Sequence, residues 1–224
     1  MSINKNAYIE IRKELNSARV ELVAVSKTKP AEDILELYEL GQRDFGENYV
    51  QELVDKVNQL PKDIRWHFIG HLQTNKVKLI APFVQLIHGV DSLKLLKEIN
   101  KEAVKNDRII DCLLQVHIAE EETKFGFDKE ELNVIFEQLP GSGLNNVNVC
   151  GFMGMASFTE DMTKVSSEFR TLKGYFDQYA ESRIQNCDLK ILSMGMSGDY
   201  VTAIREGSNM VRIGSLLFGE RNKK

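Results

Sequence analysis

Short runs rich in valine, isoleucine and leucine alternate along this chain with segments of helical periodicity, and this alternation constrains the fold more than any other feature. An amphipathic segment at residues 3–18 precedes the first run and predicts an N-terminal helix. Most runs are about 22 residues apart, a spacing that suits a strand, a helix and two short loops. About eight strands are predicted, at residues 20–27, 44–48, 66–70, 86–91, 109–118, 149–156, 189–196 and 210–215.

Regular alternation of strands and helices predicts the α/β class, with helices covering a parallel sheet. Two architectures meet this description, a closed (β/α)8 TIM barrel and an open doubly wound sheet. Because no GxGxxG follows the first strand, the barrel is favoured and the open sheet is the alternative. No change of composition and no flexible linker divides the chain. The prediction is therefore a single barrel domain over residues 1–224 with an extra N-terminal helix.

Composition limits the partners and the location that we expect. The formal net charge is −4, which argues against nucleic acid as a partner. No uncharged apolar run approaches the roughly 18 to 20 residues of a membrane span. Three cysteines without CxxC spacing and a polar start predict reduced core thiols and a cytoplasmic protein. The four histidines lack paired-ligand spacing, so no metal site is predicted.

Lys27 ends the first predicted strand and precedes a turn. In a barrel of parallel strands, functional groups gather at the carboxyl ends of the strands, where Lys27 is predicted to lie. A lysine amine that is partly removed from water titrates lower and becomes nucleophilic, which suits Schiff-base chemistry. The alternative is a solvated lysine that begins a loop.

Polar residues also mark the ends of the second and third strands. Asn48 could bind a cofactor oxygen, or it could cap the helix that follows it. His67 stands between Trp66 and Phe68, where its ring could stack on a flat ligand or form hydrogen bonds within the core.

Small and polar residues follow the last two strands. In such barrels, backbone N–H groups of the loops after strands seven and eight often bind phosphate. Ser197, Gly214 and Ser215 fit that task. Arg212 has the same strand parity as Gly214 and should point into the barrel, where its alternative role is an ion pair with a barrel carboxylate.

Five segments in the same order resemble the pyridoxal phosphate homeostasis protein family, and together they span nearly the whole chain. They are AVSKTKP at residues 24–30, FGENYVQE at 45–52, WHFIGHLQTNK at 66–76, LSMGMS at 192–197 and VRIG at 211–214. The resemblance implies a barrel like that of alanine racemase, with pyridoxal 5'-phosphate (PLP) as the cofactor. It also implies a role in vitamin B6 and amino-acid homeostasis, without an established catalytic activity.

The same resemblance implies cofactor contacts by position. The implied residues are Lys27 for the Schiff base, Asn48 and His67 beside the ring, Arg212 near the pyridine nitrogen, and Ser193, Ser197, Gly214 and Ser215 at the phosphate.

These implied contacts favour binding of PLP over turnover. Arg212 is charged and cannot accept the ring proton, so the ring becomes a weaker electron sink than one paired with a carboxylate. Racemisation also needs a second proton carrier, which alanine racemases draw from another domain. We therefore expect a monomeric PLP carrier or regulator without catalytic residues, with apo PLP-dependent enzymes as acceptors. The alternatives are an amino-acid racemase or other low-activity PLP enzyme, and a signalling protein that responds to PLP.

Overall fold

A computed structural model describes residues 3–120, 125–181 and 184–219. Eight parallel strands form a closed barrel in which each strand pairs with the next and the eighth returns to the first. The prediction of a (β/α)8 barrel is confirmed, and the open sheet is wrong. The strands are β1 (Glu21–Val25), β2 (Asp44–Glu47), β3 (Arg65–Phe68), β4 (Leu86–Val90), β5 (Ile110–Val116), β6 (Val147–Gly154), β7 (Cys187–Ser193) and β8 (Met210–Ile213).

Helices follow the strands around the outside of the barrel. The predicted N-terminal helix is also present, capped by the Asn4 side chain, which accepts a hydrogen bond from the Ala7 amide at 3.1 Å. A short 3-10 turn lies at Thr74–Lys76. The helices are α1 (Lys5–Ala18), α2 (Ala31–Glu39), α3 (Val50–Gln59), α4 (Val77–Ile80), α5 (Leu93–Lys105), α6 (Lys129–Gln138), α7 (Met162–Ala180), α8 (Tyr200–Arg205) and α9 (Ser215–Phe218).

The apolar core has two parts, because successive side chains of a strand point to opposite faces. The larger part lies between the helices and the outer face of the barrel and contains fully buried side chains such as Phe45, Phe68 and Phe152. The smaller part fills the barrel interior. It consists of Val23, Leu86, Leu113, Cys150, Met153 and Met210.

Strand register brings distant residues together at the carboxyl end of the barrel, where the strands end. Val25 pairs with Gly46 of β2, and Ala24 pairs with Ile213 of β8. The loops that follow β1, β2 and β8 are therefore neighbours. This arrangement places Lys27, Asn48 and Gly214 around one opening.

No helix in the described part of the chain is both long and apolar enough to cross a membrane. Within those same ranges, no three histidine, cysteine or acidic side chains are grouped to hold a metal. The predicted core thiols are confirmed, since all three cysteines are buried and unbridged. Burial raises the pKa of Cys150 to about 12, so this thiol stays protonated at neutral pH.

Candidate functional site

A cavity of about 420 Å³ opens at the carboxyl end of the barrel. This volume lies within the range of about 300 to 1,000 Å³ that is usual for small-molecule sites. Six of the eight predicted cofactor residues line it, while His67 and Ser193 lie deeper in the barrel. The six are Lys27, Asn48, Ser197, Arg212, Gly214 and Ser215.

The backbone on both sides of Lys27 is held by buried polar contacts. Before it, the Ser26 hydroxyl donates to Glu47 Oε1 at 2.5 Å, and the Ser26 carbonyl accepts from Lys56 Nζ at 2.8 Å. After it, the Thr28 amide donates to Glu52 Oε1 at 2.6 Å. Thr28 has a φ of 64°, a left-handed conformation that is uncommon for a β-branched residue. The half-buried side chain of Lys27 thus extends from a turn whose backbone is held on both sides.

Ser26, Glu47, Glu52 and Lys56 form a group that we call the Lys56 cluster. Lys56 Nζ contacts Glu47 Oε1 at 2.7 Å and Glu52 Oε1 at 2.6 Å, and its side chain is only 7% exposed. Burial raises the pKa of Glu47, while Lys56 and Ser26 oppose that rise. Glu47 Oε2 is buried without a hydrogen-bond partner among the described residues. One lysine therefore compensates a deeply buried carboxylate and a partly exposed one.

Asn48 lines the cavity and carries a buried, unpaired acceptor. Its side-chain Oδ1 is buried and has no hydrogen-bond partner within the described residues. The helix-cap interpretation is wrong, because the N-cap position of α3 is Tyr49. The backbone of Asn48 packs closely against Gly70. Only glycine fits there, since a Cβ at position 70 would lie 2.4 Å from the Asn48 carbonyl oxygen. A buried acceptor without a partner suits a site whose donor comes from a ligand.

Arg212 contributes a buried positive charge to the cavity wall. Nη1 donates to the carbonyl and the hydroxyl of Ser193 at 2.8 and 2.7 Å, and Nη2 donates to the Gly154 carbonyl at 3.1 Å. The ion-pair interpretation is wrong, because these acceptors are neutral. Burial lowers the pKa of Arg212 to about 10, against a smaller rise caused by Asp199. The guanidinium therefore remains charged at neutral pH.

His67 lies below the cavity and not on its wall. Its Nδ1 is 2.9 Å from His88 Nε2, and its Nε2 is 3.1 Å from Asp44 Oδ1. His88 Nδ1 is 3.2 Å from the Ser193 hydroxyl oxygen. This position agrees with the interpretation of His67 as a hydrogen-bonded core residue. It does not agree with a ring that stacks on a ligand in the cavity. Sequence reasoning missed His88 and Asp44, whose side chains join His67 in the barrel interior.

The loops after β7 and β8 form the remaining wall. The Gly214 amide donates to the Ser197 hydroxyl at 3.2 Å, and Ser215 follows at the surface as the first residue of α9. A Cβ at Gly214 would lie 3.2 Å from Val25, so a larger residue would press on β1. Lys29 Nζ donates to the Phe218 carbonyl at 2.7 Å and fastens this wall to the Lys27 loop. The predicted phosphate residues Ser197, Gly214 and Ser215 are thus neighbours.

Ionisation of Asp44 should make the free energy of unfolding depend on pH in the acid range. Burial alone would raise its pKa, but hydrogen bonds from His67 and Arg65 outweigh burial and lower the pKa to about 2. Because this value lies below the unfolded value of about 3.9, the ionised group stabilises the fold by about 2 kcal/mol above pH 4. That contribution is lost as the pH falls through about 2.

We expect the stability difference between the native chain and Asp44→Asn to shrink by about 2 kcal/mol between pH 6 and pH 2. Urea unfolding at several pH values measures this difference. A difference that stays constant with pH would show that Asp44 does not carry the effect.

Known proteins resemble the chain over nearly its full length. The profile of the family described as "Alanine racemase, N-terminal domain" matches residues 4–222. The pyridoxal phosphate homeostasis protein of Aquifex aeolicus is 45% identical over 205 residues, which cover 90% of this chain and 87% of that protein.

Solved structures share the barrel. PipY of Synechococcus elongatus, solved with PLP bound, is 34% identical with a TM-score of 0.86, and the match covers 96% of this chain and 99% of that chain. Alanine racemase of Bartonella henselae is 16% identical with a TM-score of 0.71, over 95% of this chain and 58% of that chain. At that identity the likeness to alanine racemase concerns the fold alone.

Proposed function

The chain belongs to the pyridoxal phosphate homeostasis protein family, and on that premise we propose that it binds PLP in the cavity at the carboxyl end of its barrel. One observation carries the proposal: Lys27 with its amine, Arg212 with its charge, and Asn48 with its buried unpaired acceptor all line the same cavity. The PLP-bound relative PipY supports it. The cofactor would supply an aldehyde and an electron-withdrawing ring, and the chain supplies the groups that hold them.

Lys27 is the residue that we propose for the covalent link. Its Nζ would attack the aldehyde carbon of PLP, a C=N bond would replace the C=O bond, and the aldehyde oxygen would leave as water. The turn held by the Lys56 cluster keeps the lysine stem at the cavity, which limits the entropy lost when the bond forms. Lys29 lines the same cavity and donates through Nζ to the Phe218 and Gly219 carbonyls, so the experiment must distinguish the two lysines.

Borohydride trapping tests this assignment directly. The purified protein is incubated with PLP, reduced with borohydride so that the C=N bond becomes a stable secondary amine, and then digested for peptide mapping. We expect one modified lysine, Lys27. A label on Lys29, or labels spread over surface lysines, would overturn the proposed link while leaving noncovalent binding to be measured by dialysis.

The rest of the cavity can hold the other parts of the cofactor. Arg212 would face the pyridine nitrogen and keep it unprotonated, since a guanidinium donates but does not accept. Ser197, Gly214 and Ser215 would hold the phosphate through hydroxyl and amide donors. Asn48 would stand beside the ring, where its Oδ1 could accept from a ring hydroxyl. We propose no stacking role for His67, which lies deeper, and Ser193 would act through Arg212.

Removal of one phosphate donor should weaken PLP binding selectively. Ser197→Ala deletes the hydroxyl that faces Gly214, and we expect the dissociation constant for PLP to rise roughly tenfold. Fluorescence titration with PLP and with unphosphorylated pyridoxal separates the causes. Pyridoxal affinity should change by less than about twofold, because it carries no phosphate. Equal losses for the two ligands would mean that Ser197 does not contact the phosphate.

We propose that the protein holds PLP and releases it to apo PLP-dependent enzymes as part of vitamin B6 and amino-acid homeostasis. Relatives named pyridoxal phosphate homeostasis protein support the part of this role that concerns PLP homeostasis. We further propose a cytoplasmic location and a monomeric state. Size-exclusion chromatography with light scattering can test the monomeric state.

Recovery of activity in an apo enzyme mixed with the PLP-loaded protein tests transfer. It should be faster than release of PLP into buffer, and equal rates would argue against direct transfer.

Arg212 favours this role over racemisation, because an unprotonated ring stabilises a carbanion poorly. Exchange of the α-proton of amino acids in deuterated water tests the point. We expect no exchange above that of free PLP, and exchange that depends on Lys27 would make the protein an enzyme.

A further inference from the structure

A continuous line of hydrogen bonds runs through the barrel interior. It begins at Asp44, the first residue of β2 at the amino end, and ends at Arg212 on the cavity wall. We call this line the interior chain. Its members, in order, are Asp44, His67, His88, Ser193 and Arg212, joined at 3.1, 2.9, 3.2 and 2.7 Å.

The donors of the interior chain can all point the same way. Asp44 is a carboxylate and can only accept, so His67 Nε2 carries a hydrogen. When both rings are neutral, His67 Nδ1 then accepts from His88 Nε2, and His88 Nδ1 accepts from the Ser193 hydroxyl. Burial, together with His67 and Arg212, holds the pKa of His88 well below its usual value, which keeps that ring neutral. The Ser193 oxygen accepts from Arg212 Nη1.

The direction of these bonds fixes Arg212. Both hydrogens of Nη1 are used by Ser193, and Nη2 donates to the Gly154 carbonyl. Since the guanidinium is planar, these bonds set the plane in which its remaining N–H groups lie. The nearby charges are Arg65, which pairs with Asp44, and Asp199, which acts on Arg212.

We propose that Asp44, His67 and His88 are positioning residues for the cofactor: through Ser193 they orient Arg212, so that a change at the amino end of the barrel alters PLP binding at the carboxyl end. This inference rests on the proposed function, because it concerns the contact between Arg212 and the PLP ring. None of the three residues needs to touch the cofactor.

Asp44→Asn tests the proposal, because it keeps the shape of the side chain but can reverse the direction of the hydrogen bonds in the interior chain. Arg65 would hold the amide oxygen, and the amide NH₂ would then donate to His67 Nε2. His67 would carry its hydrogen on Nδ1, and so would His88, whose Nδ1–H would point at Ser193. The Ser193 hydroxyl would then lose the acceptor that now fixes it, and its bond with Arg212 would weaken.

The matched control is Asp111→Asn, which removes the same charge near the amino end of β5. Asp111 accepts from Asn148 Nδ2 at 2.8 Å and is not a member of the interior chain. Nitrogen NMR of the histidine rings reports the tautomers without PLP, and titration reports the affinity for PLP. In the native protein and in the control, both rings should carry hydrogen on Nε2. In Asp44→Asn both should switch to Nδ1, with PLP affinity lower by about fivefold to tenfold and a shifted absorbance of the bound cofactor.

Reversed tautomers with unchanged affinity and absorbance would overturn the proposal, and so would native tautomers other than Nε2–H. If the native protein did not bind PLP at all, the proposed function would fail, while the NMR result would still report the direction of the hydrogen bonds in the interior chain. Should Asp44→Asn fail to fold, Ser193→Ala interrupts the hydrogen bonds of the interior chain without a change of charge. There, His67 should keep its Nε2 hydrogen while PLP affinity falls, and an unchanged affinity would again overturn the proposal.

Discussion

Lys27→Ala is expected to abolish the absorbance at about 420 nm that a protonated Schiff base gives after incubation with PLP. The alanine variant has no amine to form the C=N bond, so any remaining binding depends on the phosphate and ring contacts alone. We expect affinity to fall by about two orders of magnitude or more, since noncovalent contacts must then bear the full entropy cost of binding. Absorbance spectra and equilibrium dialysis measure the two effects separately.

Lys29→Ala is the control for this experiment, because Lys29 lies two residues away and lines the same cavity. Its removal deletes hydrogen bonds to the Phe218 and Gly219 carbonyls but leaves Lys27 in place. The control should keep the absorbance band and bind PLP more weakly only to the extent that the wall loosens. An absorbance band that persists in Lys27→Ala and disappears in Lys29→Ala would exchange the two assignments.

Lys56→Met is expected to lower the free energy of unfolding by about 3 to 5 kcal/mol. The change leaves Glu47, whose side chain is fully buried, without its opposing charge. It also deletes the bond to the Ser26 carbonyl, next to Lys27. Because a small domain is stable by only about 5 to 15 kcal/mol, much of the reserve would be lost. Urea unfolding measures the change, and PLP titration of the folded fraction reports the effect on the cavity.

The pH dependence of this loss identifies its cause. Burial already raises the pKa of Glu47, and without Lys56 it should rise further. A carboxyl group with a raised pKa in the folded state takes up a proton more readily when folded, so the loss should shrink as the pH falls. Glu47→Gln in the Lys56→Met background should likewise recover part of the stability. Lys101→Met, which removes an exposed partner of Glu98, should cost far less stability than Lys56→Met. Equal losses at Lys56 and Lys101 would contradict the argument.

The sequence predicts the barrel because its dominant signal is local. Valine-rich runs and helical periodicity define each unit, and strictly alternating units favour one closed parallel sheet. Lys27, Asn48 and Gly214 could be assigned to one site for the same reason, since each follows a strand and all strands end at one face. Predicted strands extended a few residues too far, as at residues 109–118 where the structure has Ile110–Val116. The hydrophobic pattern continues into loops after the pairing has ended.

The Lys56 cluster and the interior chain could not be predicted in this way. Lys56 lies in a helix with other charged residues, and a solvated lysine has the same local pattern. Its burial depends on Glu47 from a different element. The position of His67 depends on the register between β3 and β4, which brings it to His88. Because β4 is buried along its whole length, its period of two is hidden in the sequence.

The directed bonds of the interior chain also limit how such a sequence can diverge. A single apolar replacement at His88 would leave His67 without a donor and Ser193 without an acceptor, in a place that water cannot easily reach. Neutral drift at these five positions should therefore proceed in correlated steps, either keeping every member or exchanging several together. Covariation between Asp44 and Ser193, which lie on opposite sides of the histidine pair, is the signature to seek in an alignment of this family.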